Sequence, residues 1–262
     1  MTSISNAASI SNVSTIPATS LRSLEKGSIL GENISKWNLD ITLSVTKKHF
    51  QGNWPNHADT TGIKSAIAAL FHETEVENVD FTEITATQMS MDFFDRFYHS
   101  EPPVVKKESG WISKCLEATR YEICPGVLFC DEIRNCLLND ESDFYYLFKS
   151  ADRRELMFKL FQLVVVGGMY NQYEDKIGLY LQAVREMYKE LVNVVKKDGK
   201  ISVTSKIYEV RLVKKDDGGS VYFPEKADDV EALHPQSFCL AVIDSDSKTA
   251  TILKNIWNGQ KF

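Results

Sequence analysis

The sequence predicts an α+β protein, a helical middle region packed on a mostly antiparallel β-sheet, with a disordered N-terminal segment. Three observations carry this. Between residues 90 and 198 apolar side chains recur every three or four positions, the spacing of a helix face. After Gly199 the period drops to two. The first twenty residues, MTSISNAASISNVSTIPATS, carry no charge and six serines, a composition unable to bury a core. The chain therefore reads as a disordered Ser/Thr-rich segment over 1–20 and a single domain over 21–262, helical over 90–198 and β-rich over 200–257.

The elements follow in order. Residues 24–38 suit a first helix, weakened by Gly27 and Gly31. In DITLSVT, Ile41, Leu43 and Val45 alternate with small polar residues, as in a half-buried strand. The turn QGNWPN leads to a helix near 61–72. Val79 and Phe81 alternate with Asp80 and Thr82, which predicts a short strand. Then comes SMDFFDRFY, where a helix would gather Phe93, Phe94, Phe97 and Tyr98 on one side. In CDEIRNCLLN, Ile133, Cys136 and Leu137 keep helical spacing. Asp152 and Glu155 resemble a capping box before RRELMFKLFQLVVV, which Gly167–Gly168 stops. Ile177, Tyr180, Leu181, Val184, Met187, Leu191 and Val194 predict one long helix over 174–197, with Lys196 and Lys197 at its carboxyl end and Asp198–Gly199 ending it.

Beyond it, Ile201 and Val203 lie on one parity and Tyr208, Val210 and Leu212 on the other, which predicts a bulge near 205–207. KKDDGG is a hairpin signal. FCLAVI is apolar on both parities, as a strand covered on both faces would be. DSDSK then turns the chain into the strand TATILKNIW.

Composition narrows the function. The 262 residues are 43% apolar and 25% charged, globular averages. A net charge of −6 disfavours nucleic acid, anionic membranes and acidic polymers as electrostatic partners. The cysteines at 115, 124, 130, 136 and 239 are odd in number, and no C-x-x-C pair occurs. With no secretory apolar segment, they read as thiols of a reducing cytosol. A mitochondrial leader would need more arginine than Arg22 and Lys26 supply. The longest apolar stretch, LFQLVVVGGM, is too short to span a bilayer.

Catalytic motifs are sparse. LAVIDSDSKT ends a strand in Asp244 and Asp246, the spacing of a metal-dependent phosphatase nucleophile and acid. Lys248 departs from that pattern, too few residues follow to complete such a domain, and a hairpin turn explains both aspartates. The histidines at 49, 57, 72, 99 and 234 are scattered. His234 precedes Cys239 by five residues, with Pro235 between them and Cys239 at a packing position. No G-x-S-x-G, P-loop or G-x-G-x-x-G occurs. ADDVEAL reads as a solvated acidic loop. What remains are aromatic-plus-acidic stretches. In MDFFDRFYH the phenylalanines read first as core, with Phe94, Asp95 and Arg96 as a candidate contact. In MYNQYEDK, Tyr170, Tyr173, Glu174 and Asp175 stand at a helix start, as a partner surface or as an Asn171–Glu174 cap.

MSMDFFDRFY, CDEIRNCLL, GGMYNQYEDKIGLYL and MYKELV, in this order, resemble the cilia- and flagella-associated protein 300 family. The likeness is best over residues 89–213 and weaker before 80 and over 214–235. HSEPPVVKKESG and RYEICPGVLF look like longer loops than the family pattern has. The resemblance implies a non-enzymatic factor for assembling outer and inner axonemal dynein arms, needed for motility. It implies no cofactor, no catalytic residue, and a location in cytoplasm and in the axoneme of the cilium or flagellum. The implied partners are proteins: dynein-arm assembly factors, dynein subunits and the intraflagellar transport machinery. The alternatives are a stable axonemal structural component and the phosphatase built on Asp244 and Asp246.

Overall fold

The structure, a computed structural model, describes residues 10–16, 21–71, 76–115, 127, 129–214 and 234–257. In chain order it contains β1 (Ser11–Thr15), α1 (Ile29–Asn33), β2 (Leu43–Gln51), α2 (Thr60–Phe71), β3 (Val76–Ile84), α3 (Arg96–His99) and α4 (Glu132–Leu138). There follow α5 (Ser150–Arg153), α6 (Leu156–Val166), α7 (Gly178–Leu191), β4 (Val194–Lys197), β5 (Lys200–Val203), β6 (Lys206–Lys214), β7 (Phe238–Asp244) and β8 (Thr249–Asn255). Single 3-10 turns lie at Arg22–Leu24, Met91–Phe94 and Tyr145–Leu147.

Six strands form one antiparallel sheet in the order β1-β2-β8-β7-β6-β3. The α+β class is as predicted, and β7 shows why FCLAVI is apolar throughout. Its alternate residues Cys239, Ala241 and Ile243 join a cluster under α2 with Phe50, Ile67, Leu70 and Tyr208. Phe238, Leu240 and Val242 face the other way, into the larger core of α4, α6 and α7. Strand alternation thus feeds two cores from one strand.

The helical layer is built round α6, of which nine residues are buried, including Leu156, Leu160 and Val164. A helix apolar on all sides must be enclosed, and α7 supplies one wall through Tyr180, Ala183, Val184 and Met187. The helix stops at Gly167, whose φ of 60° combined with a ψ of −153° suits glycine alone. A Cβ there would run into the Trp37 carbonyl, and one on Gly168 into the Asn38 carbonyl. The glycine pair therefore does more than end a helix. It lets the chain lie against the turn at 36–38, with Gly168 N–H donating to Trp37 O at 2.9 Å and Gln172 N–H to Lys36 O at 2.9 Å.

Several expectations are corrected. Ser11–Thr15 pair with β2 as an edge strand, so this part of the first twenty residues is ordered; residues 1–9 and 17–20 lie outside the described ones. The first helix is shorter than 24–38, because Gly27 (φ 99°) breaks the chain before Ser28 caps α1. Ile41 precedes β2 and is 60% exposed. Residues 100–115 are turns and isolated bridges rather than helix. Of the described cysteines only Cys136 is helical, and Cys124 lies outside the described residues. The long helix ends at Leu191, and Lys196–Lys197 belong to β4. Asp198 (φ 51°) and Gly199 (φ 76°) are the two-residue turn of the β4–β5 hairpin. The parity change near 205 is a passage from that hairpin into the main sheet, with no bulge needed. KKDDGG and ADDVEAL fall partly or wholly outside the described residues. Among those described, no helix is long and apolar enough to cross a membrane.

Candidate functional site

Asp131 caps α4, accepting the Arg134 backbone N–H at 3.0 Å. The same carboxylate pairs with the Arg134 guanidinium, and both side chains are fully buried. Arg134 Nη2 donates to Val165 O at the end of α6 and to the Tyr180 hydroxyl at 2.9 Å on α7, while the buried Nε has no hydrogen-bond partner among the described residues. Tyr173 lies over the guanidinium, 3.3 Å from its ring centre. Burial by itself lowers the Arg134 pKa, but Asp131, Tyr180 and Tyr173 outweigh it and hold the pKa above the usual value. The charge is permanent.

The network continues outward. The Tyr180 hydroxyl also accepts the Glu174 backbone N–H at 2.9 Å, and its ring packs 5.1 Å from Trp37. Glu174 points inward, 9% exposed, accepting from Trp37 Nε1 at 3.0 Å and pairing with Lys36 at 2.6 Å. Asp175 points outward to Lys114 at 3.0 Å, and this hydrogen bond holds the Lys114 pKa above its ordinary value. Ile112 N–H donates to Asp175 O, and Trp111 bridges Lys176.

At this outer edge lies an open cleft of about 480 Å3, lined by Trp111, Asp175, Lys176, Leu179 and Gln182. Trp111 is 44% exposed, with the Lys176 ammonium 5.7 Å from its ring. A large apolar ring thus stands open among polar groups at the rim of the cleft.

MYNQYEDK thus divides. It is a loop before α7, whose helix starts only at Gly178. Tyr170 is half-exposed, Tyr173 and Glu174 serve the buried network, and Asp175 borders the cleft. The Asn171–Glu174 cap is not formed: Asn171 Nδ2 donates instead to Val165 O and Val166 O at the end of α6, both at 3.0 Å, and α7 begins at Gly178 with no side-chain cap. The second candidate group falls apart likewise. Phe94 is fully buried, 4.3 Å ring to ring from Phe161, so it is core. Arg96 binds Asp152 at 2.6 Å and Leu147 O at 3.1 Å, over the rings of Phe93 and Phe148. Asp95 is exposed and Arg96 half-buried.

Asp244 is occupied as a turn residue. Its Oδ1 accepts the N–H groups of Asp246 at 3.0 Å and Ser247 at 3.2 Å, and its Oδ2 accepts from Ser247 Oγ and Asn193 Nδ2. Burial pushes the thiols of Cys115, Cys136 and Cys239 up to about 12, far from a thiolate nucleophile. His234 stacks on Trp257 at 4.0 Å. Among the described residues no three His, Cys, Asp or Glu side chains converge to hold a metal ion.

CDEIRNCLL and GGMYNQYEDKIGLYL therefore meet at Arg134. The family model of cilia- and flagella-associated protein 300 matches residues 12–255, which include both stretches. The chain belongs to the cilia- and flagella-associated protein 300 family. A protein of that name from Chlamydomonas reinhardtii is 33% identical over 180 residues, 68% of this chain. The match spans 65% of the Chlamydomonas protein, somewhat less than two thirds of its length. One from Paramecium tetraurelia is 29% identical over 239 residues, 86% of each chain. The family name gives the chain an association with cilia and flagella. No solved structure matches it.

Sequence reasoning missed Asp131, Arg134, Tyr180, Trp37 and Lys36 as one unit, and Trp111 as an exposed ring. An arginine set among Ile133, Cys136 and Leu137 was the one available signal, since that helix face has to be buried.

Proposed function

We propose that the chain is a non-enzymatic adaptor in the assembly of outer and inner axonemal dynein arms, needed for the motility of the cilium or flagellum. It binds dynein subunits or their assembly factors in the cytoplasm and accompanies them towards the axoneme, where it meets the intraflagellar transport machinery. The family match over residues 12–255 carries this reading. The geometry supports it with a contact surface at Trp111, backed by a rigid buried network that holds the loop in place. Proteins are the partners; the charge of −6 argues against nucleic acid and anionic membrane.

The test is affinity capture from ciliated-cell cytosol, with Trp111→Ala and Gln182→Arg as variants on the cleft rim. The wild type is expected to recover dynein chains or their assembly factors, and both variants to lose them without change in folding. Recovery of neither by the folded wild type would sink the reading. High-salt extraction of axonemes separates it from the structural alternative: an adaptor stays mostly in the soluble pool.

A further inference from the structure

The β4–β5 hairpin stands outside the six-stranded sheet as a separate two-stranded unit. Its root is anchored: Asn193 N–H donates to Ser205 Oγ at 2.9 Å, Thr204 N–H donates to Asn193 O at 2.9 Å, and Asn193 Nδ2 donates to Asp244. The two outer edges carry no partner strand among the described residues. Val194, Val195 and Ile201 are 52%, 44% and 51% exposed, the densest group of exposed large apolar residues in the described structure. A hairpin of two strands is marginal by itself, so apolar side chains left outward on such an arm point to a covering partner.

Charge says which partner. VVKKDGKISV holds three lysines against one aspartate, a basic arm on a chain of net charge −6. Lys196 and Lys200 enter none of the ion pairs among the described residues. Cross-strand pairing puts Val194 opposite Val203 and Lys196 opposite Ile201, so Val194, Ile201 and Val203 share one face with Lys196, while Val195 and Lys200 lie on the other. A second copy of the hairpin would bring three more lysines to an arm that is already basic, a contact of like charges. An extended strand alternating carboxylates with β-branched residues satisfies the edge, the apolar face and the charge together.

We propose that the β4–β5 hairpin is a docking arm that takes an acidic, apolar-alternating segment of a partner protein as a third strand. The surface is separate from the Trp111 cleft, and the test below uses a defined peptide, so its failure leaves the dynein-arm reading standing.

The probe is the fluorescent octapeptide Glu-Val-Asp-Val-Glu-Ile-Asp-Val, titrated into the full chain by anisotropy. A control peptide carries lysine at each acidic position. The expected result is saturable binding of the acidic peptide, weakened at least tenfold in the control. Lys196→Glu with Lys200→Glu is expected to weaken it at least tenfold with an unchanged denaturation midpoint, and Ile201→Thr to weaken it severalfold. Amide exchange over 194–203 should slow at saturation. Equal binding of both peptides, no binding at millimolar peptide, or protection confined to another segment would overturn the proposal. So would a hairpin-dependent dimer in sedimentation, or binding to phosphatidylserine vesicles in preference to the peptide.

Discussion

The Arg134 guanidinium carbon lies 3.3 Å from the centre of the Tyr173 ring, inside the protein. Tyr173 comes from a loop and Arg134 from a short helix, so this stack, with Asp131 behind it, ties the loop before α7 to the helical core. The acidic-aromatic stretch that reads as a surface is largely a clamp.

That clamp makes a prediction about single and paired changes. Asp131→Ser or Arg134→Met alone leaves one charge buried without its partner, at a cost of about 3–5 kcal/mol. The double variant removes both charges and keeps a helix-capping hydroxyl at 131. Chemical denaturation should find it more stable than either single variant.

Glycine substitutions should separate strain from clash. Gly167→Ala meets both a positive φ and the Trp37 carbonyl, and is expected to cost about 2–4 kcal/mol. Gly199→Ala has the same sign of φ but open space around it, so about 1–2 kcal/mol is expected. Thermal unfolding of the two variants checks the order.

Phe94 and Asp95 are neighbours with opposite fates. Phe94→Ala should destabilise by about 3–5 kcal/mol, because it empties a site among Phe97, Phe148 and Phe161. Asp95→Ala should shift stability by under about 0.5 kcal/mol. Denaturation midpoints decide; a silent Phe94→Ala would contradict the packing.

Acid stability should depend on Asp152 and Asp244. Burial pushes each carboxyl up, but hydrogen bonds outweigh it: from Arg96 and the Lys149 amide at Asp152, and from Ser247, Asp246 and Asn193 at Asp244. Both therefore titrate below the ordinary value of 3.8. A depressed folded pKa stabilises above the unfolded value and loses that contribution as pH falls through the folded one. Stability should decline from about pH 4 downward, and Asp152→Asn should flatten part of that decline in pH-dependent denaturation.

The sequence displayed the elements whose local and tertiary signals agree. The helix near 61–72, the stop at Gly167, the doubly covered β7 and the turn at Asp244 all follow from periodicity and turn chemistry. It concealed those where two readings share one signal. Asp198–Gly199 serves equally to end a helix or turn a hairpin, and Val194 happened to continue a helical spacing. The burial of Arg134 was hidden because its partners Val165, Tyr173 and Tyr180 are distant in sequence. Trp111 sits in an irregular segment where no period distinguishes inside from outside.

The polar strand β1 closes one flank of the main sheet, and its register slips between Ser11 and Ser14, with Asn12 at φ 46°. Such a kinked, serine-rich border is a poor template for further pairing and so shields the Lys47–Gln51 end of β2 from strangers. A chain shortened to begin at Leu21 would bare that stretch of ladder, and light scattering should register its clumping at concentrations where the full chain stays dispersed.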